Sequence, residues 1–339
     1  MSPKNRVLVT GGTGFVGSHL ARALLGRGHR VRILARDPAK ASALREAGCE
    51  VALGSLEDPP SVRLAAREAD SVVHCAAVLS SPSREGFRRV NAEGTRTLLE
   101  AALDGGCRGF VLVSSLAAAG PAREGRVVRP SDPPRPVSHY GWSKAEAERV
   151  VAEASHRIRT WSLRPPIVYG PGDRGMLPFF RAAARGIAPR LGRVRAIDLI
   201  HVSDLVDAIL AGLDRPLPTG SVHFVRGEGP RSPEQVLAHA AEAFGVPLRS
   251  LRIPAPVAIA AALASDLWAR VRRRPGETVF GYDKWRELRE EAWTCDDSEF
   301  REATGWAPKV PLEEGLAQTA RWYLDKGWVK RRAEDSPRS

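Results

Sequence analysis

From residue 6 onward, short β-rich runs alternate with helical segments, and this alternation constrains the fold more than any other feature of the chain. "RVLVT" leads into a helix through "FVGSHLARALLGRG" that ends at Gly28. "RVRILA" leads to Asp37 and Pro38, an N-cap and a first-turn proline, ahead of a helix through "AKASALREAG". "CEVAL" precedes a second such cap at Asp58 and Pro59, and "SVVHCAA" precedes a helix through "FRRVNAEGTRTLLEAALDGG". "FVLVSS" is followed by a long loop and a helix that starts near Ser138, and "TWSLRPPIVYG" supplies a further strand. The strands are continuous apolar runs, as strands buried on both faces must be. The pattern predicts an α/β protein whose parallel, doubly wound sheet is covered by helices on both sides.

A chain of 339 residues exceeds the usual size of one compact domain, so two lobes are expected. The βαβ rhythm holds over residues 1–165, the dinucleotide-binding candidate, and then breaks up. "LIHVSDLVDAILAGL" reads as a strand and a helix capped by Ser203, returning to the first lobe near 197–215. "SVHFVRG" reads as a strand and "SPEQVLAHAAEAFG" as a helix. Residues 166–330 are expected to form mainly a smaller, mixed substrate-binding lobe, and 331–339 a polar tail.

Cys49, Cys75, Cys107 and Cys295 lie far apart without metal-ligand spacing, so neither a disulfide framework nor a metal site is expected. The chain enters "VLVT" within six residues with no basic-then-apolar leader, which points to a cytoplasmic protein. The net charge of +12 comes mostly from arginines scattered along the chain rather than gathered in one stripe, so a nucleic-acid partner is not expected. The apolar stretch 253–269 is interrupted by Asp266 and falls short of the roughly 20 residues that span a bilayer. It reads as a core or cleft-covering helix with a solvated basic end, "RVRRR", or as a membrane-surface anchor.

"VLVTGGTGFVG" runs from a strand through a glycine-rich turn into a helix. Gly11 allows the tight turn, Gly14 lets backbone approach a pyrophosphate, and Gly17 lets helix and strand pack closely; Phe15 and Val16 open the helix whose N-terminus favours negative charge. An NAD site usually places a carboxylate about 20 residues on, to accept from the ribose hydroxyls. Here that position is Ala35 or Arg36. Arg36 with Lys40 suits a ribose phosphate, so NADP(H) is favoured and NAD(H) stays open.

In "HYGWSK", Tyr140 and Lys144 stand one helical turn apart on one face. A phenol with its pKa near 10 gains a role in proton transfer if the neighbouring ammonium favours the phenolate. Ser115, ending "FVLVSS", lies where doubly wound sheets bind ligands and can hydrogen-bond a substrate carbonyl as charge develops on it. His74, His201 and Asp204 read as structural residues, and Trp285, Trp293, Trp306, Trp322 and Tyr323 as packing; Arg164 is either a loop anchor or a contact for an anionic substrate.

With "TGGTGFVG", "VVHCAA", "NAEGT", "VSS", "YGWSK", "RPPIVYGPGD" and "IHVSDLVDA" in order over roughly residues 5–215, the chain resembles the extended short-chain dehydrogenase/reductases, the NAD(P)-dependent epimerase/dehydratase family. The resemblance implies a Rossmann-type fold and a catalytic set of Ser115, Tyr140 and Lys144, with the lysine also binding the nicotinamide ribose. It further implies that Ala76, Ala77 and Val78 line the cofactor, that Asn91 supports the site, and that Pro165 and Val168 lie near the nicotinamide. Dimerisation through sheet-flanking helices is implied as well.

Four departures from the family pattern narrow the expectation. Where many members have Gly-Asp-Leu, this chain reads "GSL", so Ser55 and Leu56 make a weaker or backbone-borne adenine contact. Leu116 and Ala117 stand where sugar-nucleotide dehydratases carry Asp-Glu, and Ile167 stands where 4-epimerase-like members carry asparagine. "VRILARDPAK" resembles the dihydroflavonol reductase branch, which uses NADPH. The expected activity is reversible hydride transfer between NADP(H) and a less polar ketone or secondary alcohol, as in the dihydroflavonol reductase and 3β-hydroxysteroid dehydrogenase branches. A nucleotide-sugar epimerase and a non-catalytic cofactor-sensing or RNA-binding relative are the alternatives.

Overall fold

A computed structural model describes residues 5–81, 83–123, 125–271 and 281–330. The tail at 331–339 and the arginines at 272–274 lie outside the described residues. Strands β1 (Arg6–Thr10), β2 (Arg30–Ala35), β3 (Glu50–Leu53), β4 (Ser71–His74), β5 (Gly109–Val113) and β6 (Arg159–Arg164) alternate with helices α1 (Phe15–Gly26), α2 (Ser42–Glu46), α3 (Pro59–Ala66), α4 (Arg84–Arg88), α5 (Gly94–Asp104), α6 (Leu116–Ala119) and α7 (His139–Glu153). Next come β7 (Ile167–Tyr169), α8 (Leu177–Ala183), β8 (Ile187–Arg190), β9 (Ala196–Ile197), β10 (Leu199–His201), α9 (Val202–Asp214) and β11 (Ser221–Phe224). The chain continues through α10 (Pro233–Glu242), β12 (Arg249–Arg252), α11 (Ala255–Val271), α12 (Tyr282–Leu288), β13 (Ala292–Trp293), α13 (Ser298–Thr304) and α14 (Leu312–Asp325).

The seven-stranded sheet runs β11-β6-β5-β4-β1-β2-β3, every neighbouring pair parallel. The winding direction reverses between β1 and β4, so the connections diverge there and leave a crevice at the C-terminal edge of the sheet. One face is covered by α1 and α9, where Val9, Leu20, Leu24 and Ile33 meet Ile200, Leu205 and Ile209. The other is covered by α3, α5 and α7, where Leu8 and Phe110 meet Val62, Leu98 and Val151. A separate core of Phe180, Leu237, Leu316 and Tyr323 joins α8, α10 and α14. The chain thus supplies β11 and α9 to the first layer after it has already begun the second.

Local chemistry moves several boundaries from their expected places. "TWSLRPPIVYG" is two strands in two sheets: β6 pairs with β5 and β11, whereas β7 pairs with β10. Pro165 and Pro166 lie between them and carry no N–H for a ladder. Asp37 does not cap α2; its Oδ1 accepts from Ala39 N at 2.9 Å in a turn, and the helix begins later, at Ser42. His201, not Ser203, stands at the N-cap of α9, with its ring accepting from Ser203 N. Ser232 and Gln235 form a reciprocal capping box at α10. The segment expected as one helix over 87–106 contains a π-helical turn, Arg89–Glu93, between α4 and α5.

Asp204 is buried in the first turn of α9, and its two oxygens accept from Lys309 N at 2.9 Å and Val310 N at 3.1 Å. This carboxylate ties the approach to α14 onto the first layer. Asp204→Ala is expected to lower stability by about 2–4 kcal/mol, through two lost charge-assisted bonds, while dinucleotide binding is retained. Urea denaturation and cofactor titration of the same preparation check both halves of that expectation.

Candidate active site

The glycine turn after β1 has the geometry of an anion cradle. Gly11 has φ +70°, and a Cβ there would lie 2.7 Å from Ala76 N, so β1 and the start of the 76–78 segment can approach only through glycine. A Cβ on Gly17 would stand 2.2 Å from Gly11 O, which makes this glycine the packing contact between helix and turn. Gly14 differs: a Cβ there would meet only Gly11 O, at 3.1 Å, so its outer side is open. Gly14 is also the N-cap of α1 and offers no side-chain cap to the first turn. A backbone that leaves room at Gly14 and helix N–H groups without a side-chain acceptor fits a pyrophosphate. Phe15 and Val16 follow in that first turn, half-buried.

Across the crevice, Asn91 sits on the π-helical turn and holds the 76–78 segment from below. Its Oδ1 accepts from Val78 N at 2.8 Å, and its Nδ2 donates to Val78 O at 3.1 Å and to Ser143 Oγ at 2.9 Å. One buried amide therefore fixes the backbone of Val78 and the helix that carries Tyr140 and Lys144. Ala76 and Ala77 are partly exposed at the C-terminal end of β4.

Ser115 lies beyond the end of β5, as the N-cap of the one-turn helix α6, where its Oγ accepts from Ala117 N at 3.1 Å. Helix α7 packs directly on α6. A Cβ on Gly141 would fall 2.3 Å from Ala117 O, so glycine at this position allows the close approach. The result is that the Ser115 side chain lies close enough to the Tyr140 phenol to act on its ionisation. One turn on, Lys144 is fully buried and its Nζ donates to Val113 O at 2.8 Å. Pro165 O accepts from Leu116 N at 2.8 Å, which places Pro165 beneath the Ser115 loop, and Val168 follows in β7 opposite Ile200.

Three groups distant in sequence fix α7. Ser138, its N-cap, accepts from Gly141 N at 3.0 Å and donates to Glu287 Oε1 at 2.7 Å. Asp283 accepts from His139 N at 2.7 Å and from Tyr140 N at 3.1 Å, so a carboxylate from α12 faces the positive end of the helix. Further along, Glu148 forms a bidentate pair with Arg164, at 2.9 Å and 2.6 Å, and also accepts from Ser114. Arg164 is therefore a structural anchor: it is buried, and its guanidinium stands 5.4 Å from the centre of the Phe224 ring. No sequence signal marks Asp283, Glu287 or Glu148 as parts of this site; Gly141, inside "HYGWSK", is the one residue whose type could have been noticed.

Burial dominates the electrostatics. It holds Lys144 down to about 8, with Glu148 and Cys75 acting in the opposite sense. It pushes the Tyr140 phenol well above its usual range, against the influence of Ser115 and together with the Glu287 carboxylate. The net lowering expected for the phenol is thus not what the structure shows, because desolvation outweighs every contribution that favours the phenolate. Lys144 is directed at the Val113 carbonyl, and desolvation keeps the phenol protonated. His74 is held down to about 3 by burial and sits between Thr10 Oγ1 at 2.6 Å and Thr95 Oγ1 at 3.0 Å, as a structural residue.

The other candidates lie at the ends of β2 and β3, on the far side of the glycine turn. Arg36 and Lys40 are exposed. Ser55 Oγ accepts from Glu57 N at 3.3 Å, and Leu56 packs into the core under β2. Trp285, Trp306 and Tyr323 are buried, and Trp293 and Trp322 are packed against the same cores. All four cysteines are free, and among the described residues no cluster of three or more His, Cys, Asp or Glu could hold a metal.

The fold agrees with comparisons to known proteins. Residues 7–223 match the model of the NAD dependent epimerase/dehydratase family. The chain belongs to this family. It is an enzyme of the extended short-chain dehydrogenase/reductase type, for which an NAD(P) cofactor is typical. It is 35% identical to a ceramide reductase of Caulobacter vibrioides, over 95% of this chain and 96% of that one. It is 31% identical to the 4-hydroxy-2-methyl-3-oxo-4-farnesyl-3,4-dihydroquinoline-1-oxide ketoreductase of Stigmatella aurantiaca, over 92% and 94% of the two chains. The solved structure of MoeE5 in complex with UDP-glucuronic acid and NAD superposes with a TM-score of 0.76 at 26% identity, covering 95% of this chain and 99% of that one.

The openness at Gly14 has a direct test. Its backbone (φ −88°, ψ 179°) suits any residue and a Cβ would press only on Gly11 O, so Gly14→Ala is expected to fold with a small local shift but to bind an NAD(P) cofactor at least about tenfold more weakly, because the methyl group occupies the phosphate approach. Fluorescence titration and a thermal melt of the variant separate those two properties.

Proposed function

We propose that this enzyme transfers hydride reversibly between NADP(H) and an apolar ketone or secondary alcohol. The observation that carries the reading is that the close packing of Gly141 on Ala117 sets the Tyr140 phenol beside the Ser115 side chain, with Lys144 one turn further on, at the C-terminal edge of the sheet beside the glycine cradle. Gly11, Gly14 and Gly17, with Phe15 and Val16, hold the pyrophosphate. Ala76, Ala77, Val78, Asn91, Pro165 and Val168 border the nicotinamide half, and Ser55 and Leu56 border the adenine through backbone.

When bound, NADPH supplies the hydride. The protein does the rest. In the reducing direction Ser115 donates a hydrogen bond to the carbonyl oxygen and so stabilises the charge that develops there; one such donor is worth roughly 10²–10³ in rate. Tyr140 gives the proton that turns this oxygen into the alcohol hydroxyl. Its burial suits that role, since the group must be protonated before transfer. Lys144 supplies positive charge behind the phenol and stabilises the phenolate left after transfer.

Several features support ketone chemistry over the alternatives. Buried Leu116 and Ala117 follow Ser115, where water elimination would require carboxyl groups. Ile167 is apolar where a nucleotide-sugar epimerase would use an amide. Two relatives, the ceramide reductase and the farnesyl-quinoline ketoreductase, are named for reductions of large apolar molecules. NADP(H) is favoured because Asp37 is turned to Ala39 N in its own turn, while Arg36 and Lys40 remain exposed at the end of β2. A cytoplasmic setting and a homodimer through the sheet-flanking helices stay part of this reading.

The deciding experiment is a screen of long-chain and polycyclic ketones with NADPH. Tyr140→Phe is expected to cost roughly 10²–10⁴ in kcat/KM while the protein still folds and binds NADPH. A Tyr140→Phe enzyme with undiminished turnover, or turnover of nucleotide sugars alone, overturns the proposal. In the reducing direction kcat/KM is expected to fall as pH rises through about 8, because Lys144 loses its proton there while the phenol stays protonated. A flat profile through that range removes Lys144 from the mechanism. Arg36→Ala is expected to weaken NADPH by about tenfold and NADH hardly at all, the difference of one charge-assisted contact to phosphate; equal losses for both cofactors sink the phosphate assignment.

A further inference from the structure

Helix α11 is apolar on both sides, yet only one side is covered. No charged residue occurs between Ala255 and Ser265. The inner side, Ala258 and Ala262, packs on Trp285, with Leu191 and Leu288 nearby. The outer side presents Val257, Ala260, Ala261, Leu263, Ala264 and Leu267 to the exterior, and Val257, Leu263 and Leu267 are 57%, 51% and 63% exposed. A helix on a water-facing surface ordinarily carries charged or polar residues there. A contiguous strip of leucine, valine and alanine in their place marks a surface that meets something apolar.

The charges around the strip indicate what that is. On β12, just before the helix, Arg249, Leu251 and Arg252 are all exposed. The whole chain carries +12. An apolar strip with exposed arginines just before it, on a chain of strong positive charge, is complementary to a bilayer surface that contains anionic lipids, where acyl chains receive the leucines and headgroups the guanidinium groups of Arg249 and Arg252. A second copy of the chain facing the same strip would bring like charges together.

From these observations we propose that the outer side of α11 docks this protein on an anionic membrane surface, as a peripheral rather than a spanning element. Among the described residues no helix is long and apolar enough to cross a membrane. Docking here also has a route to the candidate site. Asp266, the one acid of α11, accepts from Tyr282 N at 2.9 Å at the start of α12, and α12 presents Asp283 and Glu287 to the N-terminus of the helix that carries Tyr140. The docked face and the proton donor are thus two helices apart. The inference goes beyond the hydride-transfer reading and does not rest on it.

The full-length protein is to be floated with phosphatidylcholine vesicles, and with vesicles in which roughly a third of the lipid is phosphatidylglycerol. Binding is scored without cofactor or ketone, so its outcome is separate from that of the enzymatic proposal. Flotation is expected with the anionic vesicles and is expected to be lost at roughly 0.5 M salt, where screening shortens to a few ångströms. Leu263→Gln/Leu267→Gln is expected to weaken it at least about tenfold, with NADPH affinity and thermal midpoint unchanged. Should that pair disturb folding, Val257→Gln alone must still weaken flotation. No binding to anionic vesicles, binding that is indifferent to salt or to the substitutions, or a wild-type dimer that the double variant converts to monomer overturns the proposal; the last outcome assigns the face to a second copy of the chain.

Discussion

Helix α7 bears both groups of the proposed proton transfer, and buried polar contacts fix its position. Asn91 reaches Ser143, Glu148 pairs with Arg164, and Asp283 and Glu287 meet the first turn at Tyr140 N and Ser138. Such groups add little net stability, because removing them from water costs nearly as much as their pairing returns. They are demanding about geometry, however, since a buried carboxylate or amide that loses its partner is heavily penalised. Apolar packing alone would tolerate small shifts of α7 on the sheet. The polar anchors do not, and the close contact of Gly141 with the Ala117 carbonyl adds to the hold on the same first turn.

The same burial acts in opposite senses on the two groups that matter. Leaving water disfavours a charged form, so the phenol of Tyr140 is driven towards neutrality from one side and the ammonium of Lys144 from the other. Glu148, one turn beyond the lysine, restores part of its charge. The carboxylate that locks the helix through Arg164 therefore also tunes the amine, and structural and chemical roles meet in one side chain.

The chain after residue 166 is more than a cover for a substrate. Strand β11 completes the edge of the main sheet, Asp204 binds the backbone that leads to α14, and α12 supplies the two carboxylates at the start of α7. The two layers are joined at the point where the proposed chemistry occurs. A change in α11 or α12 has a direct path to Tyr140 through Asp266, Asp283 and Glu287.

Local pattern by itself determined the doubly wound sheet, the glycine cradle and the spacing of Tyr140 and Lys144, because each depends on residues within a few turns of one another: strand runs, a positive φ at Gly11, and a helical period. The start of α7 near Ser138 and His74 as a structural residue were legible for the same reason. Tertiary structure decided the rest. Nothing near Asp283 or Glu287 signals an appointment with a helix more than 100 residues earlier, and Arg164 stayed ambiguous until Glu148 was found opposite it. The direction of the Tyr140 shift is not contained in the sequence, because spacing shows that an amine is one turn away but not that it is directed at Val113 O or how much water the phenol has lost. Likewise the composition of 253–269 showed an apolar helix, and only the packed chain showed which of its two apolar sides lacks a cover. Burial belongs to the whole fold, whereas periodicity belongs to the segment.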